Sequence, residues 1–142
     1  MIPQTSPLAN YLSNREAVDK AIQQVLSAGR YILGEETAAF ERHFAEAVGV
    51  PYAVSVANGT EALHLALRGL GVGPGDEVIT VSHTAVATVA AVEMTGATPV
   101  LVDIHPHSYT VDASLIERAL SGRTKAIVPV HLYGQPCALE EI

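Results

Sequence analysis

A short junction near the middle of the chain has the residue types of a phosphate-binding turn. The run from Tyr52 to Val56 is apolar without alternation, as in a strand covered on both faces, and it leads through Asn58, Gly59 and Thr60 into a helical pattern. The glycine lets an anion approach the backbone, and the first unpaired N–H groups of the helix would point at that anion. The same residues also suit an ordinary turn, with Asn58 left-handed, followed by a helix cap. The junction alone leaves both interpretations open.

An alternating series of strands and helices surrounds this junction. Short apolar runs indicate strands, and apolar residues three and four apart indicate helices. The predicted elements are strands at residues 52–56, 77–81, 98–102 and 125–130, with helices at residues 61–70, 85–95 and 113–120. This order favours a three-layer αβα fold, with a mostly parallel sheet and helices on both of its faces.

Two further helices are predicted upstream. Ser13 and Glu16 have the spacing of a capping box, which would open a first helix that ends near Gly29. A second helix is predicted from Glu35 to Val48, closed by Gly49. We therefore expect an N-terminal helical segment, residues 1–50, and one sheet-containing unit, residues 51–142.

Composition and charge restrict the classes of function. Apolar residues make up 49% of the 142 residues and charged residues 16%, which is enough to form a core. The net charge of −7 argues against nucleic-acid binding, which needs a basic face. No apolar run reaches the roughly 20 residues that cross a bilayer, and the N-terminus lacks a signal-peptide pattern. We therefore expect a cytoplasmic protein that contacts neither nucleic acid nor membrane.

Cysteine and histidine spacing indicates neither a disulfide nor a metal site. Cys137 is the only cysteine, so no internal disulfide can form. His105 and His107 share a loop, but no further ligand accompanies them at metal-binding spacing. We predict no bound metal.

Several motifs follow one another along the chain in a specific order. They are Asn58–Leu63, Pro74–Ile79, Ser82–Thr88, Gly96–Val100 and Thr124–Gln135, preceded by Tyr31–Glu41. In sequence and spacing they resemble the DegT/DnrJ/EryC1/StrS family over roughly residues 14–142. The resemblance implies the N-terminal half of the large domain of the aspartate-aminotransferase fold, which is fold type I of pyridoxal-phosphate enzymes. It also implies an aminotransferase that uses pyridoxal 5'-phosphate to aminate a nucleotide-linked keto-sugar, with glutamate as the usual amino donor.

The resemblance assigns cofactor contacts to four residues. Gly59 and Thr60 would hold the cofactor phosphate, with Asn58 beside them. His83 would stack on the cofactor ring, and an imidazole there could also relay protons. The family often has Phe or Trp at the position of Ala85, so this chain departs from the commoner pattern. The alternative is that His83 caps the following helix.

The resemblance also implies substrate contacts. Tyr31 and Gly34 correspond to the substrate entrance of family members, and His131 ends the fourth predicted strand on the cofactor side. Gly134 of the motif at the end of that strand is better explained by a turn than by chemistry.

The lysine and the acid on which family members depend are not identified in this sequence. Transaminases of this kind need a Schiff-base lysine and an acid against the pyridine nitrogen. In the family both lie beyond the segment that matches Gln135. The chain contains only Lys20 and Lys125, which we assign to a helix and to a strand entry. We therefore predict no catalytic residue here and no activity for these 142 residues alone.

Other interpretations remain open. The chain could be a non-catalytic, split or truncated family member that acts as a binding or assembly module. The family's dehydratase branch is also open, because the deciding segment is absent. An unrelated nucleotide-binding domain is disfavoured, since no Gly-x-Gly-x-x-Gly follows the first predicted strand. An exposed sheet edge and helix face predict a homodimer or a complementing chain. The sugar and the aminated carbon cannot be identified.

Overall fold

Helices form the first part of the chain, and a small sheet with flanking helices forms the second. The computed structural model describes residues 5–142, so the first four residues of the predicted N-terminal segment lie outside it. The chain divides into two units, Met1–Ser55 and Val56–Ile142. The elements are α1 (Pro7–Ser13), α2 (Arg15–Ala28), α3 (Glu35–Val48), α4 (Gly59–Gly69), β1 (Glu77–Val81), α5 (Val86–Met94), β2 (Thr98–Val102), α6 (Ala113–Ala119), β3 (Thr124–Val128) and a 3-10 turn (Leu132–Gly134).

The chain bends between α1 and α2 at Asn14. The side chain of Asn14 donates a hydrogen bond back to the carbonyl of Asn10 at 3.0 Å and does not cap α2. Ser13 is the last residue of α1, and its hydroxyl donates to the carbonyl of Asn10 at 2.9 Å. The predicted capping box at Ser13 and Glu16 is therefore wrong, because an upstream helix already uses the serine hydroxyl.

The ends of α2 and α3 confirm the predicted stops. Gly29 follows α2 with φ +68°, and Gly49 follows α3 with φ +77°. Both glycines adopt the left-handed conformation that ends a helix without steric cost. Helix α3, the second of the two upstream helices that were predicted, begins and ends as predicted, at Glu35 and Val48.

The second unit contains a parallel sheet of order β2-β1-β3. Every residue of the central strand β1 is buried. Val78 packs with Leu67 of α4 and Val92 of α5 on one face. Ile79 packs with Ile116 of α6 on the other face. Helices thus cover both faces, and the predicted αβα layering is confirmed.

The predicted buried strand at residues 52–56 is wrong. This segment is not part of any strand, and Tyr52 and Val54 are 87% and 80% exposed. Its anchor within the first unit is a hydrogen bond from the Ser55 amide to Glu41 Oε1 at 2.7 Å. An apolar, β-branched sequence favours extended backbone, but a strand also needs a neighbour with a free edge. In the described chain β1 already has β2 and β3 on its two sides, and residues 52–56 pair with neither of these outer strands.

A buried carboxylate joins the starting ends of β1 and β3. Glu77 accepts hydrogen bonds from the Ser121 hydroxyl and from Arg123, whose Nε lies 2.9 Å from Glu77 Oε1. The hydrogen bond from the Ser121 hydroxyl is the main cause that holds the pKa of Glu77 below its usual value, and the hydrogen bond from Arg123 is the second. These contacts link the amino ends of β1 and β3, where the register of the pair shifts between Glu77 and Val78. The loops at the carboxyl ends of the strands take no part in them. Within residues 5–142 no helix has the length and apolar character needed to cross a membrane.

Candidate functional site

The start of α4 presents free backbone donors. Asn58 is the N-cap residue with extended backbone (φ −166°), and its Oδ1 accepts a hydrogen bond from the Glu61 amide at 3.0 Å. The left-handed turn considered for Asn58 is therefore wrong, and the residue acts as a helix cap. The amides of Gly59 and Thr60 precede the first intrahelical bonds and have no acceptor among the described residues. They point outward from the positive end of the helix dipole.

The connection from α4 to β1 brings the start of α4 to the carboxyl edge of the sheet. After α4 ends at Gly69, a short link leads into β1 at Glu77, so helix and strand run in opposite directions. The 11-residue helix spans about 16 Å, and the 5-residue strand spans about 17 Å. Leu67, near the end of α4, packs with Val78 at the start of β1 and with Ala97 just before β2. We therefore infer that the first turn of α4 extends toward the carboxyl ends of the strands. Open parallel sheets bind their ligands at this edge.

His83 lies in the loop that follows β1 at the same edge. The loop is fixed on both sides of the histidine: the Ser82 amide donates to the Val102 carbonyl at 2.8 Å, and the hydroxyls of Thr84 and Thr88 lie 2.9 Å apart. His83 itself is exposed and has no hydrogen-bond partner in the described residues. The N-cap of α5 is Ala85, without a side-chain cap, so the alternative of His83 as a helix cap is wrong.

His131 lies in the turn after β3, which is the strand next to β1. Its Nδ1 accepts a hydrogen bond from the Cys137 amide at 3.0 Å. Since Nδ1 is an acceptor, the ring proton of the neutral imidazole is on Nε2. The exposed ring can therefore donate a hydrogen bond from this edge of the sheet. His83 and His131 thus lie in loops at the carboxyl ends of two neighbouring strands, and Asn58, Gly59 and Thr60 form the start of α4.

Tyr31 and Gly34 lie together in the first unit. Both line a cleft of about 300 Å³ beside the start of α3. The Tyr31 hydroxyl donates to the Leu26 carbonyl at 3.3 Å, and the residue stays 66% exposed. Gly34 packs closely, because a Cβ there would lie 2.9 Å from the Arg30 carbonyl oxygen. A larger residue would displace the backbone that forms this cleft.

The two lysines lie away from the carboxyl edge of the sheet or outside the sheet unit. Lys125 is the second residue of β3 and is exposed near the amino end of that strand, opposite the edge that carries His83. Lys20 is an exposed residue of α2 in the first unit. Residues 5–142 contain no group of three or more His, Cys, Asp or Glu that could hold a metal.

Tyr133 is a residue of this edge to which the sequence assigned no role. It is 89% exposed and has φ +54° within the turn after β3. The motif around it includes Gly134, which also has positive φ. The glycine accounts for one left-handed position from sequence alone, but nothing in the sequence signals a second one at the tyrosine.

The layers and this sheet edge define an α/β domain of the aspartate-aminotransferase class, as in solved structures of pyridoxal-phosphate enzymes. Residues 13–142 match the model of the DegT/DnrJ/EryC1/StrS aminotransferase family, and the chain belongs to that family.

Similar proteins extend this assignment. The chain is 50% identical over 134 residues to the dTDP-3-amino-3,4,6-trideoxy-alpha-D-glucose transaminase of Streptomyces venezuelae, covering 94% of this chain and 35% of the relative. It is 52% identical over 124 residues to the UDP-2-acetamido-2-deoxy-3-oxo-D-glucuronate aminotransferase of Pseudomonas aeruginosa, covering 87% and 34%. The crystal structure of DesV from S. venezuelae superimposes with a TM-score of 0.95 at 48% identity, covering 99% of this chain and 38% of that chain. This chain thus spans about a third of each relative.

Proposed function

We propose that this chain forms the cofactor-phosphate and ring-binding part of a pyridoxal-phosphate aminotransferase acting on nucleotide-linked keto-sugars. The observation that carries the proposal is the pair of unpartnered amides, Gly59 and Thr60, at the carboxyl edge of a parallel sheet. Aminotransferases of this family depend on pyridoxal phosphate. The exposed imidazole of His83 on the adjacent loop provides a flat group for the cofactor ring.

The residues at the start of α4 fit a phosphate group. A Cβ built at Gly59 would meet no atom within 4 Å, so an anion can approach its amide without obstruction. Asn58 Oδ1 accepts its hydrogen bond from the Glu61 amide, which leaves the amides of Gly59 and Thr60 free for the phosphate. Glu61 lies in the first turn and its charge opposes an anion. The amides and the helix dipole must therefore supply the attraction.

Pyridoxal phosphate, when bound, supplies an electron sink for amino-group transfer. The protein's part at this edge is to orient it. Gly59 and Thr60 fix the phosphate end, and His83 limits rotation of the ring by stacking. His131, with its proton on Nε2, donates a hydrogen bond to the substrate. None of these side chains forms a covalent link.

We assign Tyr31 and Gly34 to substrate contacts through the cleft that they share. The sugar-nucleotide names of the relatives support a keto-sugar substrate for the whole enzyme. Our proposed amino donor is glutamate. We also propose that the whole enzyme is a homodimer and that it is located in the cytoplasm. The lysine that links to the cofactor is neither Lys20 nor Lys125 in this proposal, so these 142 residues alone bind the cofactor without turnover.

Pyridoxal phosphate and pyridoxal, which lacks the phosphate, form a matched pair of test ligands. We expect the chain to bind the phosphorylated form at least about tenfold more tightly, since two charge-assisted hydrogen bonds are lost in pyridoxal. Inorganic phosphate should compete. Absorbance and fluorescence titrations measure both affinities. Equal affinity for the two ligands would contradict the proposed phosphate site.

Borohydride reduction followed by intact mass tests the assignment of the lysines. Reduction converts a lysine–cofactor link into a permanent mass increase. We expect no specific mass increase after reduction with stoichiometric cofactor. A stoichiometric increase that maps to Lys20 or Lys125 would show that this chain contains the catalytic lysine.

A further inference from the structure

The turn after β3 holds one aromatic side chain in a costly conformation at the proposed cofactor edge. Tyr133 has φ +54° and ψ +21°, the left-handed region that non-glycine residues rarely adopt. Its side chain is 89% exposed, so core packing does not explain the conformation. Residues held in such conformations persist only where the surrounding structure fixes them, and they cluster at ligand-binding sites.

Contacts on both sides of Tyr133 fix the turn. The Cys137 amide donates to His131 Nδ1 at 3.0 Å, and the Cys137 thiol donates to the Val130 carbonyl at 3.1 Å. Cys137 is buried in the core cluster that includes Ile79. The loop is therefore tied to the sheet, and the tyrosine is held in an exposed, predetermined position.

The position of the turn indicates what Tyr133 meets. The turn follows β3, which pairs directly with β1, and the loop after β1 carries His83. The carboxyl ends of neighbouring parallel strands lie at one edge of the sheet. In an aminotransferase the reacting sugar carbon must lie against the cofactor ring, so a side chain at this edge meets the sugar and not the distant nucleotide. A phenol suits a sugar, because its ring packs on C–H groups and its hydroxyl pairs with sugar hydroxyls.

We propose that Tyr133 is a substrate-contact residue that binds the sugar ring of the nucleotide-linked substrate. The inference rests on the proposed function and adds a residue to it. In this proposal the costly left-handed backbone of Tyr133 is retained because it presents the exposed ring to the substrate. Stability and affinity should consequently move in opposite directions when the residue is replaced.

The test uses Tyr133→Asn, with Tyr109→Asn as the matched control. Tyr109 is also an exposed tyrosine with positive φ, +59°. Asparagine tolerates the left-handed region, so each variant should raise the unfolding temperature, by roughly 2–4 °C. The probes are UDP-N-acetylglucosamine, which carries no ketone and cannot react, and UDP alone, titrated calorimetrically in the presence of pyridoxal phosphate.

We expect Tyr133→Asn to weaken binding of UDP-N-acetylglucosamine about fivefold or more, because one hydrogen bond and the contacts of the ring are lost. Binding of UDP should be unchanged. Tyr109→Asn should bind both probes as the unaltered chain does. Higher stability of Tyr133→Asn with unchanged binding of UDP-N-acetylglucosamine would overturn the proposal. An equal loss of affinity for both probes would also overturn it, as would an unaltered chain that does not bind UDP-N-acetylglucosamine. Failure of the proposed function is distinguishable, because it appears as equal affinity for pyridoxal and pyridoxal phosphate.

Discussion

The central strand β1 and the helix α2 are both rich in apolar residues, yet only β1 is buried. In β1, Val78 and Ile79 are fully buried between helices on two faces. In α2, Ile22 and Leu26 share a stripe and remain 51% and 54% exposed. Apolar spacing therefore predicts the type of an element correctly in both regions, but it predicts burial only where the same chain also provides the covering elements.

The helices of the first unit extend this contrast. Phe40 and Phe44 of α3 lie one turn apart with ring centroids separated by 5.7 Å, and both are more than half exposed. Ala45 is the one buried residue of that helix. The sheet unit, in comparison, has two core clusters, one on each face. We therefore expect the free energy of unfolding to come mainly from the sheet unit.

Ile79→Ala should have the largest effect. Removal of a fully buried side chain from the central strand leaves a cavity between β1 and α6, and the expected loss is about 2–5 kcal/mol of unfolding free energy. The matched substitution Ile22→Ala should change stability by less than about 0.5 kcal/mol. Urea unfolding followed by circular dichroism measures both. Similar losses at the two positions would show that α2 is covered in solution and would remove the contrast.

Asn58→Ala should have an intermediate effect. The substitution deletes the side-chain cap of α4, and the expected cost is about 1 kcal/mol. Ser6→Ala deletes the corresponding cap of α1, where the hydrogen bond to the Ala9 amide is long, at 3.4 Å, and the helix buries no residue. Its effect on the same unfolding curve should be clearly smaller. An equal loss for Ser6→Ala would indicate that α1 contributes to the cooperative core.

Glu77→Gln should have the smallest effect near neutral pH, because glutamine keeps an acceptor oxygen for the Ser121 hydroxyl and the largely exposed Arg123 side chain stays solvated. The pKa of Glu77 is lowered in the folded state by Ser121 and Arg123. The stabilisation by Glu77 is therefore complete above the ordinary glutamate pKa of about 4.5 and is lost as the pH falls through the lower folded pKa. Urea midpoints between pH 7 and pH 3 should show a steeper acid decline for the unaltered chain than for the variant. Parallel pH profiles would contradict this assignment.

Local sequence signals predicted much of the fold. Gly29 and Gly49 predicted the ends of α2 and α3, because glycine adopts positive φ without cost. The three strands of the sheet were predicted near their observed positions, since continuous apolar runs are typical of buried parallel strands. Residues 52–56 have the same composition but no neighbouring strand, and pairing is a property of the fold that a local pattern does not contain.

The candidate site was predicted in part. The free amides of Gly59 and Thr60 follow from their position at a helix start, because the first N–H groups of any helix have no intrahelical acceptor. Their role in binding the cofactor phosphate stays a prediction. The cap formed by Asn58 and the tautomer of His131 depend on contacts with Glu61 and Cys137, whose geometry no spacing rule specifies.

Gly59→Pro, with Ala113→Pro as its control, tests the central claim, that the backbone at the start of α4 binds the cofactor phosphate. Both residues are the first of their helices and follow a residue with extended backbone, so proline fits and removes one N–H. We predict that Gly59→Pro folds normally and binds pyridoxal phosphate about tenfold more weakly, while Ala113→Pro binds it unchanged. Unchanged affinity in a folded Gly59→Pro protein would contradict the account.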